Sequence, residues 1–182
     1  MLHELLSELR RVPPLERGDE EMAALLGARR AGVAFPALPA RGGSYTRTRA
    51  YGDDRFEVLL LNWSQGAASE IHDHGGQRCW FVVLDGDVRV DDYVRLDEGS
   101  GGAHAVLEWR ESLLLGPGDL DVRGGQFDIH RVAVDSHAVT LHVYARPLRG
   151  FGIYDYEAQR RSTVRAAYDA DMSAALDRVA VR

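Results

Sequence analysis

The sequence predicts a mainly β fold, a small closed barrel with short helices before it and one helix after it. Three observations carry this reading. Between Ser44 and Tyr156 the chain runs in short segments rich in β-branched and aromatic residues, glycine-rich turns separate those segments at regular spacing, and helical periodicity is confined to the two ends. At 182 residues one domain is the expectation, and 45% apolar with 27% charged residues excludes a disordered chain.

Taken in order, Leu2, Leu5, Leu6 and Leu9 fall at i, i+3, i+4 and i+7, the stripe of an amphipathic helix that must stop before Pro13-Pro14. Asp19 reads as the N-cap of a second helix carrying Met22, Leu25 and Leu26, which Gly32 ends before Pro36 to Pro39 impose extended backbone. The helical part is thus placed at about 1–32. Strands are expected at Phe56 to Trp63, Cys79 to Leu84, Val88 to Val90, Ala105 to Trp109, Leu113 to Leu115, Phe127 to Val134, Ala138 to Ala145 and Phe151 to Tyr156. Gly75-Gly76, Asp85-Gly86, Gly99 to Gly102, Gly116-Pro117-Gly118 and Gly124-Gly125 punctuate them. A barrel over about 44–156 closes these strands without leaving edges. Val164, Tyr168, Met172, Leu176 and Val179 then share one stripe, which predicts a C-terminal helix over 162–179.

Composition removes whole reaction classes. All 22 basic residues are arginine, so the P-loop, Schiff-base chemistry and lysine general bases are absent. A formal charge of −6 with no basic run longer than a pair argues against nucleic acid. Glu4 and Glu8 interrupt the apolar core a signal peptide needs, and no stretch is long enough to span a membrane, so a cytoplasmic location without a membrane partner is expected. The single cysteine, Cys79, cannot form an internal disulfide.

Of seven histidines, His72 and His74 stand at i and i+2 ahead of the Cys79 strand. In extended backbone both imidazoles project to one face while Asp73 points away, a geometry suited to a metal. Such a pair also arises by chance on surfaces and in cores; here Gly66, Gly86 and a third histidine, His130, beyond Gly116-Pro117-Gly118 frame it. That frame resembles the two-motif pattern of the cupin superfamily, a jelly-roll β-barrel holding one metal in its mouth. In the second motif Val134 replaces the usual Asn, and in the first the usual Glu ligand is replaced around Cys79. Three neutral imidazoles leave a divalent iron its full charge and three open positions, which favours an anionic thiolate ligand.

The resemblance sharpens to cysteine dioxygenase, carried by Tyr45-Thr46-Arg47, Trp63, Ile71-His72-Asp73-His74 with Cys79 five residues on, and His130-Arg131-Val132 followed by Thr140-Leu141-His142-Val143-Tyr144. It implies one Fe(2+) per chain on His72, His74 and His130, with Arg47 clamping the carboxylate of L-cysteine beside Tyr45 and Trp63. It further implies O2 as co-substrate, Tyr144 beside substrate and oxygen, and a Cys79–Tyr144 thioether crosslink. Thr140 stands where the family usually has Ser; alternating on one strand face, Thr140, His142 and Tyr144 suit a relay in which Thr orients His and His orients the Tyr hydroxyl. Ala145-Arg146-Pro147 replaces the consecutive prolines often found after that tyrosine. Arg47 stands where related enzymes that prefer 3-mercaptopropionate show Gln, so cysteine is the expected substrate.

Plainer roles stand beside these. A lone strand histidine is ordinarily a hydrogen-bonded core residue, which fits His142 alone, and Cys79 by itself is a small buried hydrophobe. His3, His104 and His137 belong to no motif and are read as surface residues, and Trp80 as packing. Three histidines with an open position also suit a zinc hydrolase, Cys79 with two histidines suits copper, and the barrel alone suits a non-catalytic metal- or ligand-binding cupin. The chain is expected to act as a monomer.

Overall fold

The structure, a computed structural model, describes residues 2–29, 39–40, 42–97, 103–124 and 128–173. Helices α1 (Leu2–Arg11) and α2 (Asp19–Arg29) precede twelve strands. These are β1 (Tyr45–Gly52), β2 (Glu57–Trp63), β3 (Ile71–His72), β4 (Cys79–Asp85), β5 (Val88–Arg95), β6 (Leu107–Leu115), β7 (Leu120–Arg123), β8 (His130–Ala133), β9 (Ala138–Tyr144), β10 (Gly150–Asp155), β11 (Arg160–Arg165) and β12 (Ala170–Asp171). They form two six-stranded sheets, ordered β12-β1-β2-β9-β4-β7 and β11-β10-β3-β8-β5-β6.

The first sheet is covered on both faces. Val58, Leu60, Trp80, Val82, Leu141 and Val143 pack against Leu5, Leu6, Leu9, Met22 and Leu26 of the helices, while Leu59, Leu61, Cys79, Phe81 and Val83 face inward to meet Val88, Val90 and Val132 of the second sheet. Strands buried on both faces read as unbroken apolar runs, which is why Phe56 to Trp63 and Cys79 to Leu84 are legible without alternation. The α1 stripe is fully spent in this way, each leucine contributing about 1.5–3 kcal/mol. The Arg17 side chain then closes that helix, its Nε and Nη2 donating to the carbonyls of Val12 and Glu8.

Several expectations change. Asp19 is not the N-cap of α2: the Gly18 carbonyl accepts the first helical bond from Met22, and Glu21 accepts from the Gly18 N–H. The Asp19 carboxylate instead takes the Trp80 indole N–H at 2.8 Å and pairs with Arg78, pinning α2 to β4. The two runs expected at Ala105 to Trp109 and Leu113 to Leu115 are one strand, β6. Its polar middle is exposed on the sheet edge, and Ser112 donates to Asp91 across the ladder. The C-terminal helix is also overturned over its first half. Residues 160–165 pair antiparallel with β10, and Ala170–Asp171 lies parallel to β1. Val164, Tyr168 and Met172 fit a helical stripe, but Tyr168 is drawn to the buried Glu57 carboxylate (2.7 Å) and Met172 N–H to the Arg49 carbonyl (2.8 Å), contacts no local pattern announces. Gly32, Pro36, Gly99 to Gly102, Gly125, Phe127, Leu176 and Val179 lie outside the described residues.

Candidate active site

His72 ends β3, His74 stands two residues on, and His130 opens β8 directly across the ladder from His72. The chain turns back at Gly75-Gly76, both in the left-handed region; a Cβ on Gly75 would lie 2.5 Å from the Gly150 carbonyl. Asp73 does point away from its neighbours. Its carboxylate accepts from the N–H groups of Gly75 and Gly152 (both 2.8 Å), the Tyr154 hydroxyl (2.8 Å) and Arg161 (2.9 Å). Burial pushes its pKa up, but these donors outweigh burial and hold it at about 2. This anchor fixes the backbone from which the two flanking imidazoles project.

The three imidazoles converge, one ring nitrogen from each lying within 4.8 Å of the others. Their remaining nitrogens face outward. The His72 Nδ1–H donates to the Glu70 carbonyl at 2.9 Å, the His130 Nδ1–H to the Asp128 carbonyl at 3.0 Å, and His74 Nδ1 lies 3.3 Å from the Asp128 carboxylate. With Nδ1 of His72 and His130 committed as donors and that of His74 turned to the Asp128 carboxylate, each Nε2 is left toward the shared point. Burial, then the neighbouring His74, lowers the His72 pKa to about 3, and burial likewise drives His130 well down, so both rings are neutral at physiological pH. Asp128 was missed in the sequence; its only signal was the Asp-x-His spacing ahead of the third histidine.

His72 and His130 open on a cavity of about 200 Å3 that also exposes Arg47, Tyr144 and Phe151. This is below the roughly 300–1,000 Å3 of pockets for drug-sized ligands, so it takes a small molecule. A larger groove of about 600 Å3 along β10 and β11 holds none of the three histidines. The Arg47 guanidinium lies 5.7 Å from the ring centres of both Phe151 and Tyr168, and forms no ion pair with a carboxylate among the described residues. A half-buried guanidinium in a cavity wall, tied down by no ion pair among the described residues, is a ready partner for an anion.

Behind the histidines, β9 aims Thr140, His142 and Tyr144 inward. The Trp63 indole N–H donates to Thr140 Oγ1 at 2.9 Å, and Thr140 Oγ1 meets His142 Nε2 at 2.9 Å. Since indole nitrogen only donates, Thr140 accepts from Trp63 and keeps its own proton for His142. Trp63 also stacks on Tyr45 at 4.4 Å, and His142 on Phe81 at 4.9 Å. The sequence reading set His142 directly against the Tyr144 hydroxyl; instead its Nδ1 faces the Cys79 sulfur at 3.9 Å, and Cys79 pairs with Tyr144 across the ladder. Cys79 and Tyr144 are directly opposite residues of β4 and β9, which the sequence spacing alone could not show. Burial raises both their pKa values, so both hold their protons. His3, His104 and His137 are exposed, and Trp80 belongs to the helix-facing core.

A two-sheet β fold with three histidines at one mouth defines the class, a cupin with a metal-competent centre. The family model for cysteine dioxygenase type I matches residues 39–157, and the chain belongs to that family. As a member it is a dioxygenase. It is 28% identical over 151 residues to the cysteine dioxygenase type 1 of Rattus norvegicus and 26% identical to that of Bos taurus, in each case covering 80% of this chain and 74% of the relative. Among solved structures, an uncharacterized conserved protein with a double-stranded beta-helix domain from Klebsiella pneumoniae is similar with a TM-score of 0.49 at 16% identity, over 65% of this chain and 90% of that one. No described helix is long and apolar enough to cross a membrane.

Proposed function

We propose that this chain is an iron(II)-dependent cysteine dioxygenase, a single cupin-like domain that adds both atoms of O2 to the sulfur of L-cysteine and releases cysteine sulfinic acid. The observation that carries this reading is the convergence of three imidazoles, two of which, His72 and His130, line one small cavity together with Arg47. The donor set fits a divalent metal, because the outward nitrogens of His72 and His130 are committed to carbonyls, that of His74 faces a carboxylate, and the three inward nitrogens converge. Iron held by His72, His74 and His130 supplies the site for thiolate and O2 and the redox chemistry between them.

The rest falls to the chain's own residues. Arg47 binds the substrate carboxylate through its planar fork, and the rings of Phe151 and Tyr168 confine that fork, so the amino acid enters in one orientation. Tyr45 and Trp63 form the wall behind Arg47. The Tyr144 hydroxyl, kept protonated by burial, presents a hydrogen-bond donor beside the cavity, and Cys79, its cross-strand partner, would be the other end of a thioether crosslink. Trp63, Thr140 and His142 hold that pair in place as a buried polar chain.

Anaerobic iron loading, followed by oxygen uptake and mass analysis of the products from a panel of thiols, tests the reading. Cysteine-dependent O2 consumption by iron-loaded but not zinc-loaded protein is expected, with a product 32 Da heavier than cysteine, the mass of one O2. Binding of thiols without turnover would instead mark a non-catalytic cupin. His72→Ala, His74→Ala and His130→Ala should each abolish tight iron binding.

A further inference from the structure

Two of the three histidine rings are steadied in the same way, by the carbonyl of the residue two positions earlier. His74 is different. It is backed by a carboxylate, and the same residue, Asp128, touches two of the three rings. The Asp128 carbonyl takes the His130 Nδ1–H at 3.0 Å, its Oδ2 takes the His74 backbone N–H at 3.0 Å, and its Oδ1 lies 3.3 Å from His74 Nδ1. His74 Nδ1 and Asp128 Oδ1 are both buried, neither completes a hydrogen bond, and at 3.3 Å each is the polar atom placed to satisfy the other. Among the described residues Asp128 forms no ion pair with an arginine, and the nearby buried Arg123 is committed to Asp92 and Asp121. The negative charge of Asp128 is therefore directed at His74.

We infer that Asp128 is a positioning residue for the metal centre: its carboxylate fixes the His74 tautomer and ring, and lends a site of three neutral ligands one negative charge from behind. This rests on the proposal that His72, His74 and His130 bind the metal. A carboxylate on the outward nitrogen raises the basicity of the inward one, and loss of such a partner typically weakens metal binding 10–100-fold. The centre then lies electronically between a site of three histidines and one of two histidines with a carboxylate, although no carboxylate faces the shared point.

The test compares wild type, Asp128→Asn, Asp128→Glu and Asp135→Asn. The last removes the same charge from an exposed loop position. Cobalt(II) affinity is measured by chelator competition, cobalt ligand-field spectra are recorded, and the iron(III)/iron(II) midpoint potential is determined. Asp128→Asn should bind cobalt 10–100-fold more weakly, with altered ligand-field bands and a more positive iron potential. Asp128→Glu should recover part of both effects and Asp135→Asn should match wild type. Unfolding of each metal-free variant is followed in parallel, and a shift in the potential of a variant with wild-type unfolding marks an electrostatic role that packing cannot mimic. Wild-type affinity and potential in Asp128→Asn overturn the inference while leaving the metal site standing. Failure of wild type to bind any metal overturns both.

Discussion

Replacing Arg47 by Gln removes the arginine of the cavity wall, a cation that forms no ion pair among the described residues. The guanidinium lies over the rings of Phe151 and Tyr168, so the substitution leaves no buried partner unsatisfied and should move the thermal midpoint little. What it removes is a charge-assisted, bidentate grip on the substrate carboxylate, and a hydrogen bond to a charged group contributes about 1.5–3 kcal/mol. At 1.36 kcal/mol per factor of ten, kcat/KM for L-cysteine should fall by roughly 10- to 150-fold. 3-Mercaptopropionate lacks the amine, so its carboxylate is not required in a single position, and it should lose less. Oxygen-electrode rates over a range of each thiol, for both proteins, give the comparison. Equal slowing of the two thiols, or a wild type with higher kcat/KM for 3-mercaptopropionate than for cysteine, would refute the assignment of Arg47 as a cysteine-selective clamp.

Three further outcomes are expected. Thr140→Val should strand the Trp63 indole N–H and His142 Nε2, costing about 1–3 kcal/mol per unsatisfied group in denaturant unfolding, while Thr140→Ser, which keeps the hydroxyl, stays near wild type. After turnover with cysteine and oxygen, peptide mapping should find a Cys79–Tyr144 peptide lighter by two hydrogens; maps with only free Cys79 exclude the crosslink, and Cys79→Ala should reduce activity without abolishing iron binding. Tyr168, its pKa pushed to about 12 by burial and then by Glu57, should ionise later than a free tyrosine. Because the unfolded chain loses that proton from about pH 10 and the folded chain only near 12, stability should fall as pH rises through that window, and Tyr168→Phe should flatten the fall. An identical alkaline profile in the variant contradicts the Glu57–Tyr168 bond.

What could be read in the sequence was whatever is written locally. The α1 stripe, the doubly buried β2 and β4 and the His-x-His pair are all fixed by spacing along a few residues. The elements left unread are those whose stability comes from across the fold. β7 carries Asp121 and Arg123 because Asp92 on β5 completes a buried charge cluster with them. β1 reads Tyr-Thr-Arg-Thr-Arg, the Arg49 charge met by Asp171 and the Tyr168 ring and the Arg47 backbone N–H by Asp169, all more than a hundred residues away. Asp128 escaped for the same reason, since its partner His74 lies 54 residues earlier. The direction taken by His142 depended on the β4–β9 register, which puts the Cys79 sulfur where Tyr144 was expected.

The parallel pairing of β1 with β12 has a consequence for how the protein is made. Arg47 N–H reaches Asp169 across 122 residues of chain, and closing a loop of that length costs about 4 kcal/mol in entropy beyond the constant for any closure. A ribosome adding about 5–20 residues per second needs roughly 6–24 s to travel from one strand to the other. During that interval β1 has only β2 to pair with, and its outer edge is a bare row of amides and carbonyls, the kind of template on which another nascent chain can add a strand. Arg47 and Arg49 stand on that edge throughout. Long before either meets Tyr168 or Asp171, their charge repels a second copy of the same cationic edge, so the residues that later tie down the closing strand also guard its place while it is still unmade.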